Sequence, residues 1–119
     1  MQYMLLIYGN EAHWDSLSPA EQGAIYNEFM QYTQDIVRSG HFKAGDPLQA
    51  TTTASTVRIR NGKTITTDGP FAETKEQLGG YYIIEAANLD EALKLAHRIP
   101  SARWGSIEVR PIQPMPLPR

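Results

Sequence analysis

The residues best equipped for chemistry lie close together between Thr67 and Tyr82, in the stretch TDGPFAETKEQLGGYY. Asp68, Glu73, Lys75 and Glu76 are its ionisable side chains before Gly79. An aspartate in a turn ordinarily accepts the backbone N–H two residues on. Here that residue is Pro70, which has no N–H. Asp68 must then turn to the Phe71 N–H, a more distant group, water or a ligand. Gly69 precedes a proline, which disfavours the α region, so the loop is stiff where it begins. A fixed carboxylate suits a general base or a polar ligand anchor. The same three residues also serve as simple turn formers, and both readings stay open. A base role for Asp68 requires partial burial near Phe71 and distance from Lys75.

The neighbours divide in the same way. Glu73, Lys75 and Glu76 read either as a solvated charged segment or, through the Lys75 ammonium, as a seat for an anionic ligand. Tyr81 and Tyr82 are adjacent in a strand, so they point to opposite faces and at most one lines a given cleft. Gly79-Gly80 either turns the backbone into that strand or admits another chain or a ligand. Phe71 reads as a plug into the core or a dimer contact. His13 is placed in a loop before the first helix, as a pocket-lining group or a surface residue. His41 and His97 complete the histidines, and none of the three has metal-ligand spacing. No cofactor motif is found: no helix start follows Gly79-Gly80, and neither G-x-G-x-x-G nor G-x-S-x-G is present.

The elements that must hold these groups are legible. Tyr3 to Tyr8 is a continuous apolar run of the kind covered on both faces. Ser18-Pro19 followed by Glu21 predicts a capped helix from Pro19 to Ser39, with Ile25, Phe29, Tyr32 and Ile36 as its apolar stripe. His41 to Leu48 reads as an irregular strand that breaks at Gly45-Asp46-Pro47, and Gln49 to Ser55 as a loop. Thr56–Arg60 and Lys63–Thr67 flank Asn61-Gly62, a strong hairpin signal, with Val57, Ile59 and Ile65 on its apolar face. Gly80 to Ala86 is a second apolar strand. Asn88 caps a second helix with Leu89, Leu93, Ala96 and Ile99 inward, and Pro100 stops it. Ser106 to Ile112 alternates as a last strand, with Ile107, Val109 and Ile112 inward.

This order predicts an α+β fold, a ferredoxin-like split βαβ with an added β-hairpin, as one domain over residues 1–112. Residues 113–119, QPMPLPR, form a Pro-rich C-terminal tail that should be extended or disordered. Two helices cover one face of such a sheet. A homodimer packed sheet to sheet would cover the other.

The 119 residues fit one core, with 41% hydrophobic and 20% charged residues. A formal net charge of −2 gives no field favouring nucleic acid or anionic lipid. The absence of cysteine removes disulfides, thiolate nucleophiles and Cys-ligated metals. The N-terminal apolar run is too short to span a membrane, and a cytoplasmic protein is expected.

The unbroken run Asp68-Gly69-Pro70-Phe71-Ala72-Glu73-Thr74-Lys75-Glu76 resembles the YCII-related family, in its branch named for DGPFAETKE. The YMLLIYG start, the QLGGYYIIE continuation, the DEAL helix and the closing GSIEVRPI fit it too, so the likeness runs from about Met1 to Ile112. It implies a fold of the dimeric α/β-barrel type. Short relatives are known or proposed enzymes on small cyclic organic compounds, using a His–Asp pair in the dimer cleft. The aspartate of that pair corresponds to Asp68 or Asp46. Its histidine belongs within the first helix, where this chain has AIYNEFMQY and Phe29 lies nearest. A His–Asp mechanism therefore does not carry over to this chain, and the leading expectation is a homodimer that binds a small organic molecule in a cleft near the DGPF loop. In that reading Asp68 is the central group, Glu73, Lys75, His13 and one of Tyr81 and Tyr82 stand beside the ligand, and isomerase- or lyase-like proton transfer is the chemistry it would support. Whether the chain catalyses is left open by the missing histidine. The alternative implied by the branch is a non-catalytic regulatory role with an extracytoplasmic-function sigma factor. A third reading has the loop only locking the dimer.

Overall fold

The computed structural model describes residues 1–116. The chain runs β1 (Gln2–Gly9), α1 (Glu11–Ser16), α2 (Pro19–Arg38), β2 (Phe42–Pro47), β3 (Ser55–Arg60), β4 (Lys63–Asp68), β5 (Gln77–Glu85), α3 (Leu89–His97) and β6 (Ser106–Pro111). Short 3₁₀ turns lie at Thr51–Thr53 and Pro100–Arg103. Four strands form one sheet in the order β2-β5-β1-β6, with every neighbouring pair antiparallel. This is the ferredoxin-like split βαβ arrangement. The second sheet is the β3–β4 hairpin alone.

α2 starts where the sequence says it should. Ser18 accepts from the Glu21 N–H at 3.1 Å, and the Glu21 carboxylate accepts from the Ser18 N–H at 3.0 Å. Those bonds to Ser18 hold the Glu21 pKa below its usual value. Tyr32 and Ile36 are buried, with Phe29 packed beside them, so the stripe faces the sheet. Tyr3 and Leu5 of β1 with Tyr82 and Ile84 of β5 supply the sheet side of the core. Leu5, Ile36, Ile84 and Ile99 are fully buried, each contributing about 1.5–3 kcal/mol.

Four local expectations are corrected. β2 does not break at Gly45-Asp46-Pro47: these residues stay paired with Tyr82, Tyr81 and Gly80 of β5, and the irregularity falls between Phe42 and Ala44. Residues Glu11–Ser16, including His13, form a short helix rather than a loop, capped by Asn10 Oδ1 on the Ala12 and His13 N–H groups. α3 buries Ala92, Leu95, Ala96 and, just past its end, Ile99, whereas Leu89 and Leu93 are 48% and 47% exposed. Both stripes keep helical spacing. The small side chains of Ala92 and Ala96 let the backbone approach the sheet, and larger ones at those positions would hold it off. Ile65 pairs with Arg58, and Val57 with Thr66. Directly paired residues share a face, so Ile65 lies opposite Val57 and Ile59.

The hairpin turn is formed by Asn61 at φ 53° and Gly62 at φ 75°, as its sequence requires. Beyond β6, the Ile112 N–H donates to Gln2 O at 2.9 Å. Residues 113–116 are exposed and without regular structure. The rest of the Pro-rich tail lies outside the described residues.

Candidate functional site

α2 and α3 cover the sheet face that carries Tyr3, Leu5, Tyr82 and Ile84. The opposite face is built from the alternate residues. One cross-strand row reads Asp46, Tyr81, Leu6, Glu108, and the next reads Ala44, Ile83, Met4, Arg110. Tyr8 continues the apolar strip, paired with Leu78 and Ser106. Met4, Leu6, Tyr8, Leu78, Tyr81 and Ile83 are all half-buried. This face is mostly apolar, and its polar groups sit at its two sides.

At one side the Tyr81 hydroxyl donates to Asp46 Oδ2 at 2.8 Å. That hydrogen bond, and then the carboxylate's negative charge, push the Tyr81 pKa up. Tyr81 therefore stays a donor through neutral pH and fixes the rotamer of Asp46. Two glycines make room for the pair. A Cβ on Gly80 would stand 3.0 Å from Asp46 O and 3.3 Å from Pro47 Cα. A Cβ on Gly45 would stand 2.6 Å from the Tyr82 ring. Gly80 thus serves the close approach of a neighbouring strand of the same chain. At the far side Arg110 is ion-paired with Glu108.

Beyond the ends of β1, β5 and β6, a groove of about 680 Å³ is lined by Asn10, His13, Lys75, Glu76 and Trp104. Its loop is tied down. Ser106 Oγ donates to Glu76 Oε1 at 2.7 Å, Gln77 Nε2 donates to Thr74 O at 2.6 Å, and the Glu11 N–H donates to Gln77 Oε1 at 3.0 Å. Arg103 lies over the Trp104 ring, 5.0 Å from its centroid. β2 runs parallel to β1, so Asp46, near the end of β2, lies toward the same end of the sheet as this groove.

The structure separates the residues singled out in the sequence. His13 and Lys75 share the groove. Tyr81 lies on the open sheet face. Tyr82 faces the helices, buried, with its hydroxyl 2.6 Å from Thr33 Oγ1 and its ring edge-on to Tyr32. Glu73 is exposed in the loop. Asp68 is the last residue of β4, exposed and paired with Ser55, and it does not line the groove. Gly69, at φ 99°, accepts from Thr56 Oγ1 through its carbonyl and donates its N–H to Ala54 O at 2.7 Å. The DGP turn is thereby folded onto β3. Phe71 is 78% exposed and does not plug the core of its own chain.

Asp46 had only the resemblance to mark it. The partner that gives it significance, Tyr81, is 35 residues away. A second groove, of about 400 Å³, runs beside Glu28, Asp35, Arg98 and Arg103. Its charges are matched within the chain, Arg103 to Glu28 at 2.5 Å and Arg98 to Asp35 at 3.5 Å. Among the described residues no group of three or more His, Cys, Asp or Glu is placed to hold a metal. No helix among them is long and apolar enough to cross a membrane.

Comparison with known proteins adds three findings. The family model described as the YCII-related domain matches residues 1–116. An uncharacterised protein of Rhizobium meliloti (strain 1021) is 40% identical over 114 residues, covering 94% of this chain and 92% of that protein. Among solved structures, 5-chloro-2-hydroxyhydroquinone dehydrochlorinase from Burkholderia phenoliruptrix AC1100, in complex with 2,5-dihydroxybenzoquinone, aligns with a TM-score of 0.54. Its identity is 15%, over 95% of this chain and 94% of that one, so the likeness is one of fold.

Proposed function

The chain belongs to the YCII-related domain family, and from that premise we propose that it binds a small cyclic organic molecule on the open face of its sheet, enclosed by a second copy. Asp46 is the central polar group in this reading. The observation that carries it is the Tyr81–Asp46 hydrogen bond standing beside an uncovered apolar platform of Leu6, Met4 and Ile83. The platform suits the faces of a ring. Tyr81 occupies Oδ2, which leaves Oδ1 to accept a hydroxyl proton from the ligand. Proton transfer of the isomerase or lyase kind follows if the ligand carries an acidic O–H or C–H at that oxygen. Lys75 lies toward the same end of the sheet, with His13 beside it, and offers positive charge to an anionic substituent. Asp46 takes the role rather than Asp68 because it has an orienting hydroxyl and a platform beside it.

The fold neighbour acts on a chlorinated hydroxyhydroquinone and was solved with a dihydroxyquinone. This suggests hydroxylated quinones and hydroquinones as probes. Calorimetric titration of the wild-type protein with 2,5-dihydroxybenzoquinone and related hydroxyquinones should show binding. Asp46→Asn should weaken it about tenfold or more without lowering the melting temperature. A wild-type protein that binds none of these probes would overturn the reading and favour the regulatory one. Equal affinity in Asp46→Asn would remove Asp46 from the site.

A further inference from the structure

We infer that the groove beyond the ends of β1, β5 and β6 binds a small zwitterion with an apolar side group, of the α-amino acid class. Its lining carries one charge of each sign, Lys75 and Glu76, together with the indole of Trp104. The two charges are not paired with each other. Among the described residues Lys75 has no ion pair at all. Glu76 is half-buried and held at one oxygen, where Ser106 Oγ donates to Oε1 at 2.7 Å. Its Oε2 is left for a ligand. The second groove of the chain differs, because there Arg103 and Arg98 are matched by Glu28 and Asp35.

The uncharged part of the lining fits the same ligand. Asn10 Oδ1 is taken by the Ala12 and His13 N–H groups at 2.9 and 3.3 Å, so its amide N–H groups remain as donors. A carboxylate offers oxygens to Lys75 and to Asn10, and charge-assisted bonds of this kind are the stronger ones. An ammonium goes to Glu76 Oε2 on the same ground. Trp104 gives the apolar group a wall, and Gly105 sets its place. A Cβ on Gly105 would collide with Tyr8 O and stand 3.3 Å from Ser101 O, so the Trp104-Gly105 turn lies directly on the end of β1. Both N–H groups of that turn donate to Ser101 O, at 3.2 and 2.7 Å. Arg103, ion-paired with Glu28, lies over the ring and steadies it. A simple anion would leave Glu76 opposing it, and a simple cation would leave Lys75 opposing it, whereas a zwitterion matches both. Lys75 and His13 are shared with the functional reading and Asp46 is not, so the two sites are tested separately.

The test is NMR titration of ¹⁵N-labelled protein with L-phenylalanine to millimolar concentrations. It follows the indole N–H peak of Trp104, assigned with Trp104→Phe. Two analogues are run beside it: 3-phenylpropionate, which lacks the amine, and phenethylamine, which lacks the acid. The amino acid should bind, and each analogue about tenfold more weakly. Lys75→Gln should weaken L-phenylalanine and 3-phenylpropionate about tenfold and leave phenethylamine unchanged. Glu76→Gln should weaken L-phenylalanine and phenethylamine and spare 3-phenylpropionate. Glutamine keeps an acceptor for Ser106, so the loop should persist. An unmoved Trp104 peak, an analogue that binds as well as the amino acid, or variants that weaken all three ligands alike would overturn the inference. Asp46→Asn should bind L-phenylalanine as the wild type does, and lost binding there would overturn the groove as a separate site. Hydroxyquinone calorimetry reads the Asp46 site, so either reading can fail alone.

Discussion

Tyr81 Oη and Asp46 Oδ2 lie 2.8 Å apart on adjacent strands of the open sheet face. The bond exists because β2 and β5 pair in a register that sets these two residues opposite each other. It gives a strand carboxylate a fixed direction, which a flexible loop carboxylate lacks. The expectations below start from that pair and move outward to the core.

Tyr81→Phe removes the donor and leaves the ring. Hydroxyquinone affinity should fall roughly three- to tenfold with the melting temperature nearly unchanged. The converse change, Asp46→Asn, removes the carboxylate behind the two largest causes of the raised Tyr81 pKa, its charged hydrogen bond and its negative charge, and leaves only the smaller effect of burial. Tyr81 should then ionise at a lower pH than in the wild type. Difference phenolate absorbance between wild type and Asp46→Asn checks this, and a shift upward would contradict it.

Gly80→Ala should disturb the pair from behind. The added methyl lies 3.0 Å from Asp46 O and 3.3 Å from Pro47 Cα, and these are backbone atoms that cannot rotate away. The end of β2 must move off β5. A loss of about 1–3 kcal/mol is expected by chemical denaturation, together with weakened ligand binding. Gly79→Ala is the control, since its nearest contact is Ile7 O at 3.9 Å.

The α3 stripe separates two leucine variants. Leu95→Ala should cost about 2–5 kcal/mol because the side chain is buried against the core. Leu93→Ser should stay within about 0.5 kcal/mol because the side chain is exposed. Comparable losses in the two variants would place the helix face differently.

Alkaline pH should unfold the protein through its core tyrosines. Burial pushes the Tyr32 pKa well above the normal tyrosine range, with a further push from Tyr82. Burial also raises Tyr82, partly offset by its bond to Thr33. A folded-state pKa above the unfolded value gives stability that is intact below about pH 10 and is lost as pH rises beyond it. Stability should therefore decline above pH 10. Tyr32→Phe, although it also loses the bond to Leu95 O at 2.8 Å, should make that decline shallower. Denaturant midpoints measured from pH 8 to 11.5 decide it.

Much of the fold could be read from local chemistry. The α2 cap was legible because Ser18, Pro19 and Glu21 act within a few residues of one another. The Asn61-Gly62 turn was legible because few other pairs accept two positive φ values. α1 was not, since six residues give too little periodicity and Asn10 alone marks its start. The choice between Leu93 and Leu95 depended on which face of α3 the sheet could approach, and Ala92 and Ala96 decided it through their small size. Ile65 was misplaced because its face follows from cross-strand register, which alternation within β4 does not contain.

The sequence by itself determined the element order, the caps, the turn, the apolar strands and the family, all of which depend on neighbours along the chain. Tertiary structure alone decided that Asp46 meets Tyr81, that Tyr82 faces the core, and that Asp68 ends the exposed β3–β4 hairpin. Those outcomes depend on strand register and helix approach, where residues far apart in sequence are set side by side. A shift of one residue in the β2–β5 pairing would exchange the faces of the sheet and dissolve the site without altering any local signal.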